Sequence, residues 1–207
     1  MAANLASALQ LLLVTDDLLL DSRDPVRVCA DAVRGGVTAV QLRLKTASDG
    51  ELLHLATALV AALPVPVFVN DRFEVALAAG AHGVHLGVDD LAPQEAVQRA
   101  PKGFWVGASV GSAEEAQRAA GAHYWGIGPL HATGTKHDAG PALGMSGAKA
   151  LRQLAGDRPC VVIGGVRPDD VIVAREAGFN GVAVSGGILR GEDVKGAARG
   201  YAEKLKS

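Results

Sequence analysis

The sequence predicts a closed (β/α)8 barrel, the TIM-barrel form of the α/β class, folded as one domain over 1–207. Two observations predict it. One unit recurs at 34–43, 79–87, 120–128 and 177–186: Ala-rich amphipathic sequence runs into a Gly-containing turn and then into a short apolar run. Each run is bounded by turn residues, as a strand buried on both faces is, and the glycine opening each unit suits a left-handed helix C-cap. Across the whole chain, eight apolar runs alternate with eight helical segments, and polar residues gather where the runs end. A parallel barrel builds its chemistry at that rim.

The bulk properties agree with this fold class. At 207 residues the chain can bury a sizeable core. It is 49% hydrophobic with a mean hydropathy of +0.21, which excludes general disorder. Aromatics are 4%, so the core is aliphatic. Twenty basic and 22 acidic residues give a net charge of −2, with no drive toward nucleic acid or an anionic membrane. The partners expected are therefore small molecules, and homo-oligomerisation is left open. Cys29 and Cys160 lie far apart in apolar segments and read as buried thiols in a reducing, cytoplasmic compartment. No Cys/His pair has zinc spacing. The first ten residues lack a basic leader region, and the apolar run Leu11–Val14 is far too short to span a bilayer.

Strands are expected near 9–15, 39–45, 65–71, 83–87, 104–110, 124–130, 158–166 and 181–187, with helices at 24–35, 48–62, 72–80, 92–100, 112–120, 145–155, 168–177 and 194–205. The first strand ends Val14-Thr15-Asp16-Asp17 without glycine, which argues against the nucleotide loop of an open doubly wound sheet. Ser48 with Glu51 and Ser112 with Glu115 have capping-box spacing. Pro93 and Pro168 suit first helical turns. The longest loop, 130–145, follows strand six and is a candidate lid.

The strand ends carry the chemistry. In the second strand Gln41, Arg43 and Lys45 alternate with apolar residues, so all three share the inward face and step toward the rim. Arg and Lys side by side suit a diphosphate. Asn70-Asp71 closes strand three, and Asp89-Asp90 follows strand four. Asp71 and Asp90 can share a hard cation such as Mg2+, whereas Asp89 reads as a cap or surface residue. At strand five, Gly107-Ala108-Ser109 admits a flat ring and offers a hydroxyl. The run 128–136 opens a loop bearing Thr133, Thr135 and Lys136, a phosphate-gripping composition. Gly164-Gly165 and Gly186-Gly187 close strands seven and eight, where many barrels bind a phosphate monoester. Of the histidines, His82 and His123 follow helix-cap glycines and read as structural. His85 reads as a satisfied core histidine, while His131 and His137 are placed to touch a ligand.

Val-Gln-Leu-Arg-x-Lys, Asn-Asp-Arg, Gly-Val-His-Leu-Gly-x-x-Asp, Gly-x-Ser, Gly-Pro-x-x-x-Thr-x-Thr-Lys, Ile-Gly-Gly and Gly-Val-Ala-Val occur in that order. From Leu13 to Ile188 this set closely resembles the thiamine phosphate synthases. The resemblance implies a (β/α)8 barrel that joins a hydroxymethylpyrimidine diphosphate to a thiazole phosphate, with Mg2+ and release of diphosphate. It implies that Gln41, Arg43, Lys45, Asn70 and Ser109 contact the pyrimidine diphosphate, and that Asp71 and Asp90 hold Mg2+. Lys136 would reach the diphosphate, while Thr133 and Thr135 with backbone groups of Gly165, Ser185 and Gly186 would hold the thiazole phosphate. Arg43, Lys45, Lys136 and Ser109 form the implied catalytic set. The chain departs from the family pattern at Leu44 (usually Glu), at Ala132 (usually Pro) and at Gly186, where the family's Ser usually stands. A rival within the superfamily is a thiazole tautomerase, with His131 as its acid–base group. A rival of another class is a non-catalytic phosphate-ligand barrel.

Overall fold

The computed structural model describes residues 4–132 and 140–206. Eight parallel strands close into a barrel in sequence order: β1 (Leu11–Val14), β2 (Ala39–Leu42), β3 (Val67–Asn70), β4 (Gly83–Leu86), β5 (Trp105–Val110), β6 (Tyr124–Ile127), β7 (Cys160–Ile163) and β8 (Gly181–Val184). Closure is between β1 and β8, with Leu12 opposite Ala183. The surrounding helices are α1 (Leu5–Ala8), α2 (Asp17–Leu20), α3 (Pro25–Arg34), α4 (Asp49–Ala62), α5 (Phe73–Ala78), α6 (Pro93–Arg99), α7 (Ala113–Arg118), α8 (Gly144–Leu154), α9 (Asp170–Glu176), α10 (Gly186–Leu189) and α11 (Val194–Lys204). The eight expected helices are present. The short α1, α2 and α10 were not anticipated, because four residues carry no readable 3.6-residue period.

Period-two alternation splits the core in two. Leu12, Val14, Ala39, Phe68, Tyr124, Val161 and Ala183 fill the lumen, closed at the N-terminal end by Ala8 and Leu9. Leu11, Leu13, Val40, Val67, Val69, Val84 and Val162 pack outward against the helices. The lumen's few rings need room, and glycine provides it. Phe68 stacks on Trp105 at 5.9 Å and meets Tyr124 edge-on at 5.6 Å. A Cβ on Gly107 would lie 2.2 Å from the Tyr124 ring. The flat ring expected to approach Gly107 is therefore the protein's own tyrosine.

The recurring sequence unit has a structural cause. Thr38, His82, His123 and Asn180 each stand just before an even-numbered strand. Each donates its backbone N–H, at 2.7–2.9 Å, to the carbonyl of Leu11, Val67, Val106 or Cys160 in the preceding odd strand. Each side chain then accepts the N–H of that same residue, at 2.8–3.2 Å. These amides, at the first residue of β1, β3 and β7 and the second of β5, would otherwise be unpaired. Burial lowers the pKa of His82 and of His123, which keeps each imidazole neutral and able to accept. The unit repeats four times because one clamp serves two strands.

Several local expectations are corrected. The strands are shorter than expected: β2 stops at Leu42 rather than residue 45, because the buried Thr15 hydroxyl accepts from the Arg43 amide at 2.8 Å and donates to its carbonyl at 3.1 Å. Gly121 is not a left-handed cap. It ends a 3-10 turn (Ala119–Gly121) and is glycine because a Cβ would meet Gln94 Cα of α6 at 2.7 Å. Ser48 and Glu51 form the full capping box. Ser112 caps α7, but Glu115 turns to the Gly111 amide at 2.6 Å instead. Asp89 is an exposed residue, and the N-cap of α6 is Ala92, which offers no side-chain cap. No helix among the described residues is long and apolar enough to cross a membrane.

Candidate active site

The end of β1 holds the end of β2. Asp16, 7% exposed, accepts from the Leu18 and Leu19 amides and so caps α2. Its other oxygen lies 3.1 Å from the Arg43 guanidinium, an ion pair largely removed from water. Asp17 takes the backbone N–H of Lys45 at 2.7 Å and the Thr46 hydroxyl at 2.7 Å. These two aspartates and Thr15 set the course of the loop that carries both cations. The sequence reading passed over them; their signal was three polar residues in a row at a strand end.

Lys45 reaches across to Asp71, with Nζ 2.5 Å from Oδ2. Asp71 sits in the left-handed region at φ +63°, which turns the chain sharply out of β3. It does not cap α5, whose N-cap is Arg72. Its carboxyl hydrogen-bonds with Asp90 of the β4–α6 loop, and Asp90 also accepts from the Gly87 amide at 2.6 Å. Burial, and then the adjoining Asp71, push Asp90 up to about 6. Burial works against ionised Asp71, but the hydrogen bonds from Asp90 and Lys45 outweigh it and hold its pKa below the ordinary carboxylate value. Two adjoining carboxyl groups that face one space can share a cation. Among the described residues no third His, Cys, Asp or Glu joins them. Such a pair fits a hard divalent ion that keeps waters and completes its shell with phosphate oxygens of a ligand.

Deeper in the lumen, a polar chain crosses the barrel. Gln41 hydrogen-bonds with the Tyr124 hydroxyl. That hydroxyl lies 3.0 Å from His85 Nδ1, and His85 Nε2 lies 3.1 Å from the Ser109 hydroxyl. Gly126 leaves space for the imidazole: a Cβ there would lie 3.0 Å from its ring. Gln41 and His85 are buried, and Ser109 faces the opening.

On the far side, β7 and β8 end in glycine. Gly164 and Gly165 have φ of +94° and +66°, and a Cβ on Gly164 would fall 2.6 Å from Pro129 Cα. Ser185 caps α10 through its carbonyl, while its hydroxyl is buried without a hydrogen-bond partner among the described residues. Arg167 and Arg190 also line this side, and the sequence reading missed both.

These strand ends open on one cavity of about 790 Å³. Gln41, Arg43, Lys45, Asn70, Asp71, Asp90, Ser109, Gly165, Ser185 and Gly186 line it, from six different strand ends. Thr133, Thr135, Lys136 and His137 lie outside the described residues, within the 133–139 part of the expected lid. The flanks of that loop are stitched down: Leu143 donates to the Pro129 carbonyl and His131 to that of Gly164. His131 does not line the cavity; its Nε2 lies 3.0 Å from Asp170 of α9.

Three comparisons bear on this geometry. A family model described as thiamine monophosphate synthase matches residues 11–188. A thiamine-phosphate synthase of Azorhizobium caulinodans is 43% identical over 196 residues, 92% of each chain, and one of Methanoculleus marisnigri is 40% identical over 94% of each. The solved thiamine phosphate pyrophosphorylase of Pyrococcus furiosus superposes with a TM-score of 0.86 at 32% identity, covering 98% of both chains.

Proposed function

This chain belongs to the thiamine monophosphate synthase family, and on that premise we propose that it is a transferase coupling hydroxymethylpyrimidine diphosphate with a thiazole phosphate to give thiamine phosphate and diphosphate. The observation that carries the reading is the convergence of a cationic strand end, the adjoining Asp71 and Asp90 carboxyl groups and two glycine-rich strand ends on one cavity.

The chemistry asks for charge stabilisation and proximity. The bond from the pyrimidine methylene to the diphosphate oxygen breaks, and both electrons leave with the diphosphate. The aminopyrimidine ring donates into the methylene cation, and the thiazole nitrogen lone pair forms the new C–N bond. Arg43 and Lys45 face the departing diphosphate, and the resemblance gives Lys136 the same charge-stabilising role. Preorganised cations of this kind stabilise charge as it develops. Asp71 and Asp90 would hold Mg2+, which supplies further neutralisation of diphosphate charge. Gln41, Asn70 and Ser109 orient the pyrimidine, while Thr133, Thr135 and the amides of Gly165, Ser185 and Gly186 seat the thiazole phosphate. Holding both partners in one cavity turns a bimolecular step into a local one. No activated nucleophile is required. Ser109 does meet His85, but behind His85 stands the Tyr124 phenol rather than a carboxylate, and burial raises the pKa of that phenol.

The tautomerase alternative gave the acid–base role to His131, which is engaged with Asp170 and does not line the cavity; His85 does line it, held between Tyr124 and Ser109. Both cysteines are free and buried, which supports a reducing, cytoplasmic setting. The deciding experiment is a coupling assay with both purified substrates, with and without Mg2+. Product formed only when both substrates and the metal are present supports the reading. Isomerisation of a carboxythiazole phosphate alone, without metal, would overturn it. Asp71→Ala should cut kcat/KM by on the order of a hundredfold and flatten the Mg2+ dependence; kinetics like the wild type would remove Asp71 from the metal site.

A further inference from the structure

We propose that Arg190 is an anion-binding residue of the cavity, and that Gly186 is glycine so that the Arg190 guanidinium can lie across the end of β8 and contact the phosphate monoester seated there. The inference rests on the synthase reading for the identity of that phosphate, and on the following geometry for the contact itself.

The cations at the two ends of the cavity are in different states. At the β1–β3 side each already has a carboxylate: Arg43 has Asp16 and Lys45 has Asp71. At the β7–β8 side Arg167 and Arg190 line the same cavity, and neither forms an ion pair with a carboxylate of the described residues. This side therefore presents uncompensated positive charge, beside the buried and unpartnered Ser185 hydroxyl. An anion bound here displaces no resident carboxylate.

Arg190 also has a defined route into the cavity. It follows α10 directly, its amide bonds back to the Gly186 carbonyl at 3.2 Å, and its side chain lies against Gly186, the first residue of that helix. A Cβ on Gly186 would lie 2.8 Å from Arg190 Nε, 3.5 Å from Cδ and 3.6 Å from Cζ. The guanidinium thus occupies the space a side chain at 186 would take. The φ of Gly186 is not positive, so conformation does not demand glycine. The close neighbour is the arginine, whose flexible side chain a Cβ at 186 would push aside. Guanidinium donors are planar and matched to phosphate oxygens.

The test is titration of the intact protein with inorganic phosphate by calorimetry, together with steady-state kinetics in both substrates. Arg190→Gln should weaken phosphate binding and raise KM for the thiazole phosphate by about tenfold or more, the loss expected for one charged hydrogen-bonding group. KM for the pyrimidine diphosphate should move less than about twofold. Arg190→Lys should recover part of the affinity through its charge. Gly186→Ala should weaken binding in the same direction by pushing the guanidinium aside, and should add nothing in an Arg190→Ala background. Phosphate affinity in Arg190→Gln equal to the wild type would overturn the proposal. So would a Gly186→Ala effect that persists without Arg190, since the backbone would then be responsible. Wild-type protein that binds phosphate through Arg190 yet makes no thiamine phosphate would refute the synthase reading and leave this one standing.

Discussion

Asp16 illustrates how much one side chain does here. One carboxylate oxygen caps a helix, and the other fixes Arg43 where a diphosphate is to be gripped. Asp16→Ala removes both functions and leaves a mostly buried guanidinium unpaired, so stability should fall by about 3–4 kcal/mol in urea melts. Asp16→Asn still caps α2; most of the stability should return while kcat/KM for the pyrimidine diphosphate stays about tenfold low. Kinetics of the Asn variant indistinguishable from the wild type would mean that Arg43 needs no anchor. The cysteines give a pH signature. Burial raises Cys29 to about 12 and Cys160 to about 11, from an ordinary value of 9.0. The unfolded chain loses these protons first, so their contribution is intact below pH 9 and is lost as pH rises through the folded values. Thermal melts should therefore decline above pH 9, and Cys29→Ala with Cys160→Ala should shrink the decline; an unchanged slope would assign it to other groups.

At the scale of elements, the four clamps explain why the barrel's sequence repeats every two strands. Thr38, His82, His123 and Asn180 differ in chemistry but share one task, accepting an amide at the closed end of an odd strand. Any acceptor of suitable reach serves, so the position is legible in the sequence while the role is not. Asn180→Leu leaves the Cys160 amide unpaired and should cost about 1–3 kcal/mol with both KM values unchanged, since the clamps lie at the end away from the cavity. A change in substrate affinity would show that the two ends communicate. The same scale shows why strand lengths were overestimated. Residues such as Arg43 and Asp71 continue the alternation of a strand, but Thr15 and a left-handed turn divert the backbone, and neither diversion has a periodic trace.

The whole molecule separates stability from chemistry along the barrel axis. Clamps and the α1 plug lie at the N-terminal mouth, the Arg43–Asp16 and Lys45–Asp71 ion pairs and the Gly164-Gly165 and Gly186-Gly187 turns at the other. Asn180→Leu and Asp16→Asn should accordingly be additive in unfolding free energy within about 0.5 kcal/mol; strong coupling would deny that division. By itself the sequence determined the alternating elements, the closed barrel, the shared inward face of the second strand and the set of strand ends that bear polar groups, because period-two burial and glycine punctuation are local and leave a direct trace. Only the tertiary structure decided which polar groups pair with which. Asp71 adjoins Asp90 rather than capping a helix, Tyr124 fills the space beside Gly107, His131 turns to Asp170, and Arg190 lies over Gly186. Each of those partnerships joins residues that barrel closure or a turn brings within a few ångströms, and distance in space has no periodicity for a sequence to display.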